Sequence, residues 1–252
     1  MTLKVIAYAR NGHTDKFGIP RQSREESPIL TRIVFEPEYR VAEALRGIEG
    51  YSHLWLIWGF SELSSLTANA ERPSDDYKTA YAVRPQDKPA VGLSWSPTVR
   101  PPRLGGNTRM GVFATRSPFR PNPIGLSSVK LVGIEDGDLI VSGADVLDGT
   151  PIYDIKPYLS FSDCHEDAKN GFAEETKNRT LEVVLGSAVN QLLPSVRPAD
   201  DLVREICYIL SQDPRPGYQD DPEREYKLDY KGYTVTFVVK NKIIYPKKIE
   251  KK

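Results

Sequence analysis

The chain of 252 residues has only two cysteines and three histidines. Cys164 and Cys207 form no CxxC and have no histidine at zinc spacing, and His13, His53 and His165 lie far apart. This argues against a zinc site, a histidine-based metal cluster and a disulfide-stapled secreted domain; no metal is expected, and both thiols are expected to be ordinary buried ones. No stretch approaches the roughly 18 apolar residues of a membrane span, and the N-terminus MTLKVIAYAR has no long apolar run, so the protein is expected to be cytoplasmic with no membrane partner. Net charge is also missing, since Lys+Arg and Asp+Glu are 34 each. Any attraction to a polyanion must come from local patches, and neutrality does not exclude RNA. GxxxxGK(S/T), GxGxxG after a strand, GxSxG and HExxH are all absent. Their absence removes the usual phosphate, dinucleotide, hydrolase and zinc-protease engines.

What is present is concentrated in Val99–Gly125, VRPPRLGGNTRMGVFATRSPFRPNPIG, with five arginines, five prolines, four glycines and no acidic residue. Arg100, Arg103, Arg109, Arg116 and Arg120 have no counter-charge within the segment, which makes it an anion-attracting patch. Its prolines fix φ and its glycines permit tight turns, so the loop is stiff. Stiffly presented guanidinium forks can grip a phosphate or carboxylate bidentately. An irregular proline-rich surface loop is the bland alternative.

The first two-thirds of the chain reads as short strands: Leu3–Arg10, Ile29–Phe35, His53–Phe60, Arg109–Thr115, Ser127–Glu135 and Asp138–Ser142. Asp136-Gly137 is the turn dipeptide of a tight hairpin, and Val41–Arg46 suggests one short helix. A sheet this aromatic favours a closed or nearly closed barrel, because exposed edges invite pairing with other chains. Thr67–Ala90 is polar and proline-punctuated and reads as an inserted loop, for partner contact or plainly disordered. His165–Asn178 is charged and small and reads as an interdomain connection, giving a domain over 1–165 and a second over 175–252. In the second, Leu202, Val203, Ile206, Ile209 and Leu210 share one face of a helix over Asp201–Gln212. Strands over Tyr226–Tyr230, Thr234–Lys240 and Ile243–Tyr245 follow, with a Lys231-Gly232 turn, and the terminal PKKIEKK reads as a frayed tail. The fold class is mainly β, a barrel domain with a small α+β C-terminal domain.

A second cluster is DVLDGTPIYDIKPY, Asp145–Tyr158. If extended, Asp154, Lys156 and Tyr158 share one face and can orient a substrate or shuttle a proton. Alternating polar residues on a solvent-facing strand edge have the same pattern, and spacing alone leans to that.

GVFATRSPFRPNPIG, with RPPRLGG, DGTPIYDIKPYL, IPRQ at Ile19–Gln22 and QDPRPGY at Gln212–Tyr218, resembles the TsaA/YaeB family of tRNA N6-threonylcarbamoyladenosine methyltransferases. The blocks span most of the chain in family order. The resemblance implies a β-barrel methyltransferase domain unlike the Rossmann type, a homodimer, S-adenosylmethionine as methyl donor and tRNA as partner. It places donor binding on Pro20, Arg21, Gln22, Arg116, Leu126 and the run Ala144, Asp145, Val146, Leu147. Asp145 would suit the ribose hydroxyls, Arg116 the methionine carboxylate, and the backbone around Leu126 and Val146 the adenine. Where family members often carry a His-Gln pair as a further donor contact, this chain has Ser61 and Glu62. The implied reaction is N6-methylation of threonylcarbamoyladenosine next to the anticodon. Asp154, or Tyr158 through a water, would accept the proton; Arg120 would hold the threonyl carboxylate with Asn122 and Lys156 nearby, and Arg100 and Arg103 would hold RNA. The rivals are an RNA- or nucleotide-binding adaptor without chemistry, and a methyltransferase acting on a small molecule or protein.

Overall fold

The computed structural model describes residues 3–14, 16–20, 22–23, 26–60, 95–101, 104, 108–176, 180–186, 199–215 and 221–252. The inserted loop expected at Thr67–Ala90 and residues Arg21, Ser61, Glu62 and Arg103 lie outside them.

Six strands, β1 (Ala7–Arg10), β2 (Leu30–Phe35), β3 (His53–Gly59), β6 (Ile124–Glu135), β7 (Asp138–Ser142) and β8 (Pro151–Pro157), close into an antiparallel barrel in the order β1-β2-β7-β6-β3-β8. Closure removes the exposed edges that so aromatic a sheet would otherwise present. Inward positions alternate as the pleat requires, with Leu54, Leu56 and Trp58 from β3 meeting Val129, Leu139, Val141 and Ile152 in one core. Asp136 and Gly137, at φ 52° and 79°, form the expected tight turn between β6 and β7.

Two short strands, β4 (Thr98–Val99) and β5 (Met110–Gly111), pair as a separate ribbon. The strand expected over Arg109–Thr115 is therefore only two residues long: Val112–Ala114 turns into a 3-10 helix, and Val112 is plugged into the interior at 1% exposure. Val41–Arg46 likewise holds a 3-10 turn, Ala42–Leu45. After β8 a short helix, α1 (Ser160–Asp163), leads to exposed residues 164–171. Cys164 is exposed and Cys207 half-buried, so the expectation of two buried thiols fails.

Among the described residues, the C-terminal part sets the helix α2 (Ala199–Ser211) on a sheet ordered β10 (Tyr226–Tyr230), β11 (Tyr233–Lys240), β12 (Ile243–Lys251) and β9 (Glu182–Val183). Ile206, Ile209 and Leu210 of α2 are buried, Leu202 packs partly buried beside them, and Val203 is half-buried. The terminal PKKIEKK is not a frayed tail. It is the second half of β12, paired with β11 from Val235↔Ile249 to Tyr233↔Lys251, and Ile249 anchors it by packing into the core.

The segment between β1 and β2 joins the two cores. Phe17 and Ile29 belong to the C-terminal core, not the barrel. Gly12 packs so closely on Tyr230 and Lys231 that any side chain would collide with them, while the carbonyl of His13 accepts from the amide of Asp148 on the barrel side at 2.9 Å. His13 itself is buried against the Tyr230 ring; burial, helped by Lys231, depresses its imidazole to about 4 and keeps it neutral. Among the described residues no helix is long and apolar enough to cross a membrane.

Candidate active site

The chain leaves β7 at Ser142 and runs on through Ala144–Leu147 towards β8. Ala144 and Val146 are buried at 3% and 1% exposure, and Asp145 between them reaches the inward-facing Ser127 of β6. Asn11 holds this run from outside, its Nδ2 donating to the carbonyl of Val146 at 3.0 Å and its amide to Asp148 Oδ1 at 3.0 Å.

Asp145 is the electrostatic centre. Ser127 sits at an inward position of β6; its Oγ accepts from Trp58 Nε1 at 2.9 Å, so its own proton is directed to Asp145 Oδ1 in a short bond. The amide of Ser23 and that of Asp145 itself also point at the carboxylate, and the Arg116 guanidinium lies within electrostatic reach. Burial outweighs these partners and raises the carboxyl above the usual range. Ser23 Oγ additionally donates to the carbonyl of Ser128, fixing the 22–23 segment beside β6.

Trp58 needs space to reach Ser127. It has it only because Gly125 stands opposite on β6, where a Cβ would fall inside the indole ring. Gly125→Ala is expected to cost about 1–3 kcal/mol by overpacking and to uncouple Trp58 from Ser127, measured by urea unfolding and by the tryptophan emission of the folded variant.

Of the residues expected to bind the donor, Arg116 lies within electrostatic reach of Asp145, and Gln22 precedes Ser23, whose amide points at that carboxylate. Pro20 is buried and Gln22 half-buried. Arg116 is exposed just beyond the 3-10 turn. Leu126 lies on the outer wall, 55% exposed, with its main chain opposite Ile57 in the ladder. Val146 has its carbonyl already taken by Asn11, and the Leu147 carbonyl accepts from the Thr150 amide at 3.2 Å.

Asp154, Lys156 and Tyr158 do share one face, but β8 lies between β1 and β3 in a closed barrel and is not an edge. Across β6, β3 and β8 the outward rows read Leu126, Ile57, Asp154 and then Ser128, Trp55, Lys156. Lys156 Nζ pairs with Asp154 Oδ2 at 2.8 Å, both side chains about half exposed or more. Tyr158 packs on Trp55, centroids 5.4 Å apart, and edge-on to His53. Desolvation, then Cys164 and Asp163, push its phenol up. Asp163 is held below its usual range by the Leu159 amide and Trp55 Nε1.

Arg120 is half-buried and reaches back to the Thr115 carbonyl at 3.4 Å; Asn122 is exposed, and Arg100 is half-buried next to β4. Arg109 grips Thr98 Oγ1 at 2.6 and 2.9 Å, which ties the ends of the ribbon together.

Sequence reasoning missed Ser127, Ser23 and Trp58. The one available signal was Ser127 in an apolar strand, a polar side chain at what parity makes an inward position.

A family model described as the tRNA-methyltransferase O N-terminal domain matches residues 8–164, and the TrmO C-terminal domain matches 178–252. The chain belongs to the tRNA-methyltransferase O family. It is 36% identical over 223 residues to the tRNA (adenine(37)-N6)-methyltransferase of Escherichia coli K12, covering 86% of this chain and 83% of that one. A Pseudomonas aeruginosa relative, 38% identical over 88% of this chain and 85% of its own, bears a name that places it among S-adenosylmethionine-dependent methyltransferases. The crystal structure of TrmO from P. aeruginosa superposes with a TM-score of 0.74 at 29% identity, covering 100% of this chain and 97% of that one.

Proposed function

We propose that the protein methylates N6 of adenine 37 in tRNA, with S-adenosylmethionine as donor and the threonylcarbamoyl-bearing adenosine beside the anticodon as acceptor. The family match over both halves supports the reaction class. The observation that carries the site is Asp145: a desolvated carboxylate, already oriented by Ser127 and Ser23 and faced by a cation. A buried carboxylate above its usual pKa is poorly compensated until hydroxyl donors reach it, which fits a ribose diol. Arg116 suits the carboxylate of the donor's methionyl part. An adaptor without chemistry has no use for either group.

S-Adenosylmethionine, when bound, supplies a methyl group already activated on a sulfonium sulfur. The protein's own task is then mostly orientation, worth roughly 7–11 kcal/mol when reacting atoms are held in line. Asp145 and the 20–23 segment hold the ribose side and Arg116 the carboxylate. Adenine recognition falls to the surroundings of Leu126 and Val146, by apolar contact with the exposed Leu126 more than by the Val146 carbonyl that Asn11 occupies. The acceptor nitrogen must lose its proton, and Asp154 is the better acceptor of the two candidates. Its carboxylate is held by Lys156 on the outer face of β8, whereas the raised phenol of Tyr158 stays protonated and serves as a donor or a packing surface. Arg120 and Asn122 are placed for the threonyl carboxylate, with Arg100 on the RNA backbone. The proposal includes a homodimer in the cytoplasm, and two domains divided between 165 and 175, each with its own core apart from Phe17 and Ile29.

Calorimetry with S-adenosylmethionine and mass spectrometry of tRNA nucleosides after incubation with the protein test this directly. Wild type should bind the donor and methylate the modified adenosine. Arg116→Ala should weaken donor binding by about 1.5 kcal/mol, the low end for a charge-assisted bond because the group is exposed. No donor binding by wild type would overturn the function; unchanged affinity in the folded variant would remove Arg116 from the site.

A further inference from the structure

Phe113 is out of place by ordinary burial rules. It is 74% exposed, the second most exposed large apolar side chain among the described residues, although Val112 beside it is fully buried. The ring is also not loose. The 3-10 turn that carries it is pinned by the Val112 amide to the Pro97 carbonyl at 3.0 Å, and by the amide and Oγ1 of Thr115 to the Val112 carbonyl at 3.1 and 2.9 Å. Trp95 stacks beside it, centroids 6.0 Å apart and planes 28° from parallel. Trp95 is held in turn by its neighbour Ser96, which bonds the Phe119 carbonyl through its amide and the Thr98 carbonyl through Oγ. The two rings, stacked on a stiff frame, leave the Phe113 ring open to solvent as an apolar step.

The surroundings say what kind of flat ligand it suits. From Trp95 to Gly125 the chain has five arginines and no carboxylate. An apolar partner surface would gain nothing from that field, whereas a nucleobase brings a π-face for the rings and a phosphate for the guanidinium groups. Arg116, which faces Asp145, is three residues from Phe113, at most about 11 Å of chain.

We propose that Phe113 and Trp95 form a stacking platform for an unpaired base of the RNA substrate, next to the adenosine being methylated. This rests on the tRNA reading above. The step is a positioning and specificity device: it fixes the RNA strand so that the acceptor nitrogen enters the donor site, and it does not touch the methyl group. Stacking is tolerant of base identity, so the platform holds the anticodon loop without reading its sequence.

The test uses the full chain and a tRNA anticodon stem-loop carrying the modified adenosine. Removing one stacking aromatic is expected to weaken RNA binding by roughly tenfold or more. Phe113→Ala should therefore raise KM for the stem-loop by about that factor with kcat for bound substrate little changed. Affinity for S-adenosylmethionine should stay at the wild-type value, and Phe113→Trp should restore RNA binding. Stem-loops with a single abasic site should reveal one position next to the target where wild type loses as much as Phe113→Ala does, and where the variant loses nothing more. Unchanged KM in Phe113→Ala would overturn the platform. So would fully additive losses at every abasic position, or a shift of the variant from dimer to monomer in sedimentation, which would make the step a contact with a second copy. Failure of wild type to methylate the stem-loop would instead sink the tRNA reading itself.

Discussion

Asp145→Asn is expected to lower affinity for S-adenosylmethionine by about tenfold to a hundredfold, the range for losing one or two charge-assisted hydrogen bonds, while leaving the melting temperature unchanged or raised. The two effects have one cause. In the free protein the carboxylate is desolvated more than its partners compensate, so folding raises its pKa and holding the anion costs the fold stability. A carboxyl raised on folding contributes stability that is present below its unfolded pKa and is lost as pH rises through the folded value. Donor binding has the opposite dependence, since the ribose hydroxyls need the anion. Wild type should therefore bind the donor less well, but lose no stability from this group, as pH falls through the carboxylate range. In the Asp145→Asn variant both dependences vanish, and Ser127 can still donate to the amide oxygen. Calorimetry at several pH values and thermal unfolding of the free protein measure the pair. A variant that binds normally, or one that melts well below wild type, would show that Asp145 serves the fold.

Asp138→Ala should have the largest effect on stability, about 3 kcal/mol or more, against the roughly 0–1 kcal/mol usual for a surface ion pair. Its side chain is 2% exposed. It accepts from Arg32 Nε at 2.9 Å, from Arg40 Nη2 at 2.7 and 3.0 Å, and from the amide of Phe35 at 3.1 Å. These bonds stitch the start of β7 to the end of β2. Without the carboxylate the buried Phe35 amide and Arg40 lose this acceptor, while Arg32 keeps Asp136 and the Glu135 carbonyl. Those two arginine side chains are 35% and 41% exposed and can turn towards water, which holds the loss below that of a fully enclosed triad. Asp138→Asn, which keeps an acceptor for Phe35, should lose less. Chemical unfolding orders the three proteins, and equal stability of all three would mean that the barrel closes without this link.

Much of the barrel was legible because its signals are local. Asp136-Gly137 takes the positive φ of a tight turn, the alternation in β3 and β6 has the period of a half-buried strand, and Lys231-Gly232 repeats the turn logic in the second unit. Local signals misled where a neighbour decides. Arg109–Thr115 has the composition of a strand, yet Val112 finds its burial by turning inward against Pro97. The basic end of the chain has the composition of a tail, yet Ile249 and the free edge of β11 recruit it into β12.

The arginine-rich segment and the outward row on β8 could be named from the sequence, and the family resemblance supplied the residues proposed for the donor, since residue type and motif are one-dimensional information. Two things depended on the three-dimensional fold. One is the environment of Asp145, set by Ser127, Ser23 and Trp58 from three distant parts of the chain; desolvation and hydrogen-bond direction depend on what surrounds a group, not on what precedes it. The other is the exposure of Phe113, because whether an aromatic side chain fills a core or faces water is settled by the competition among all apolar side chains for one interior. In this chain Val112 takes that interior place, and the ring beside it is left on the surface.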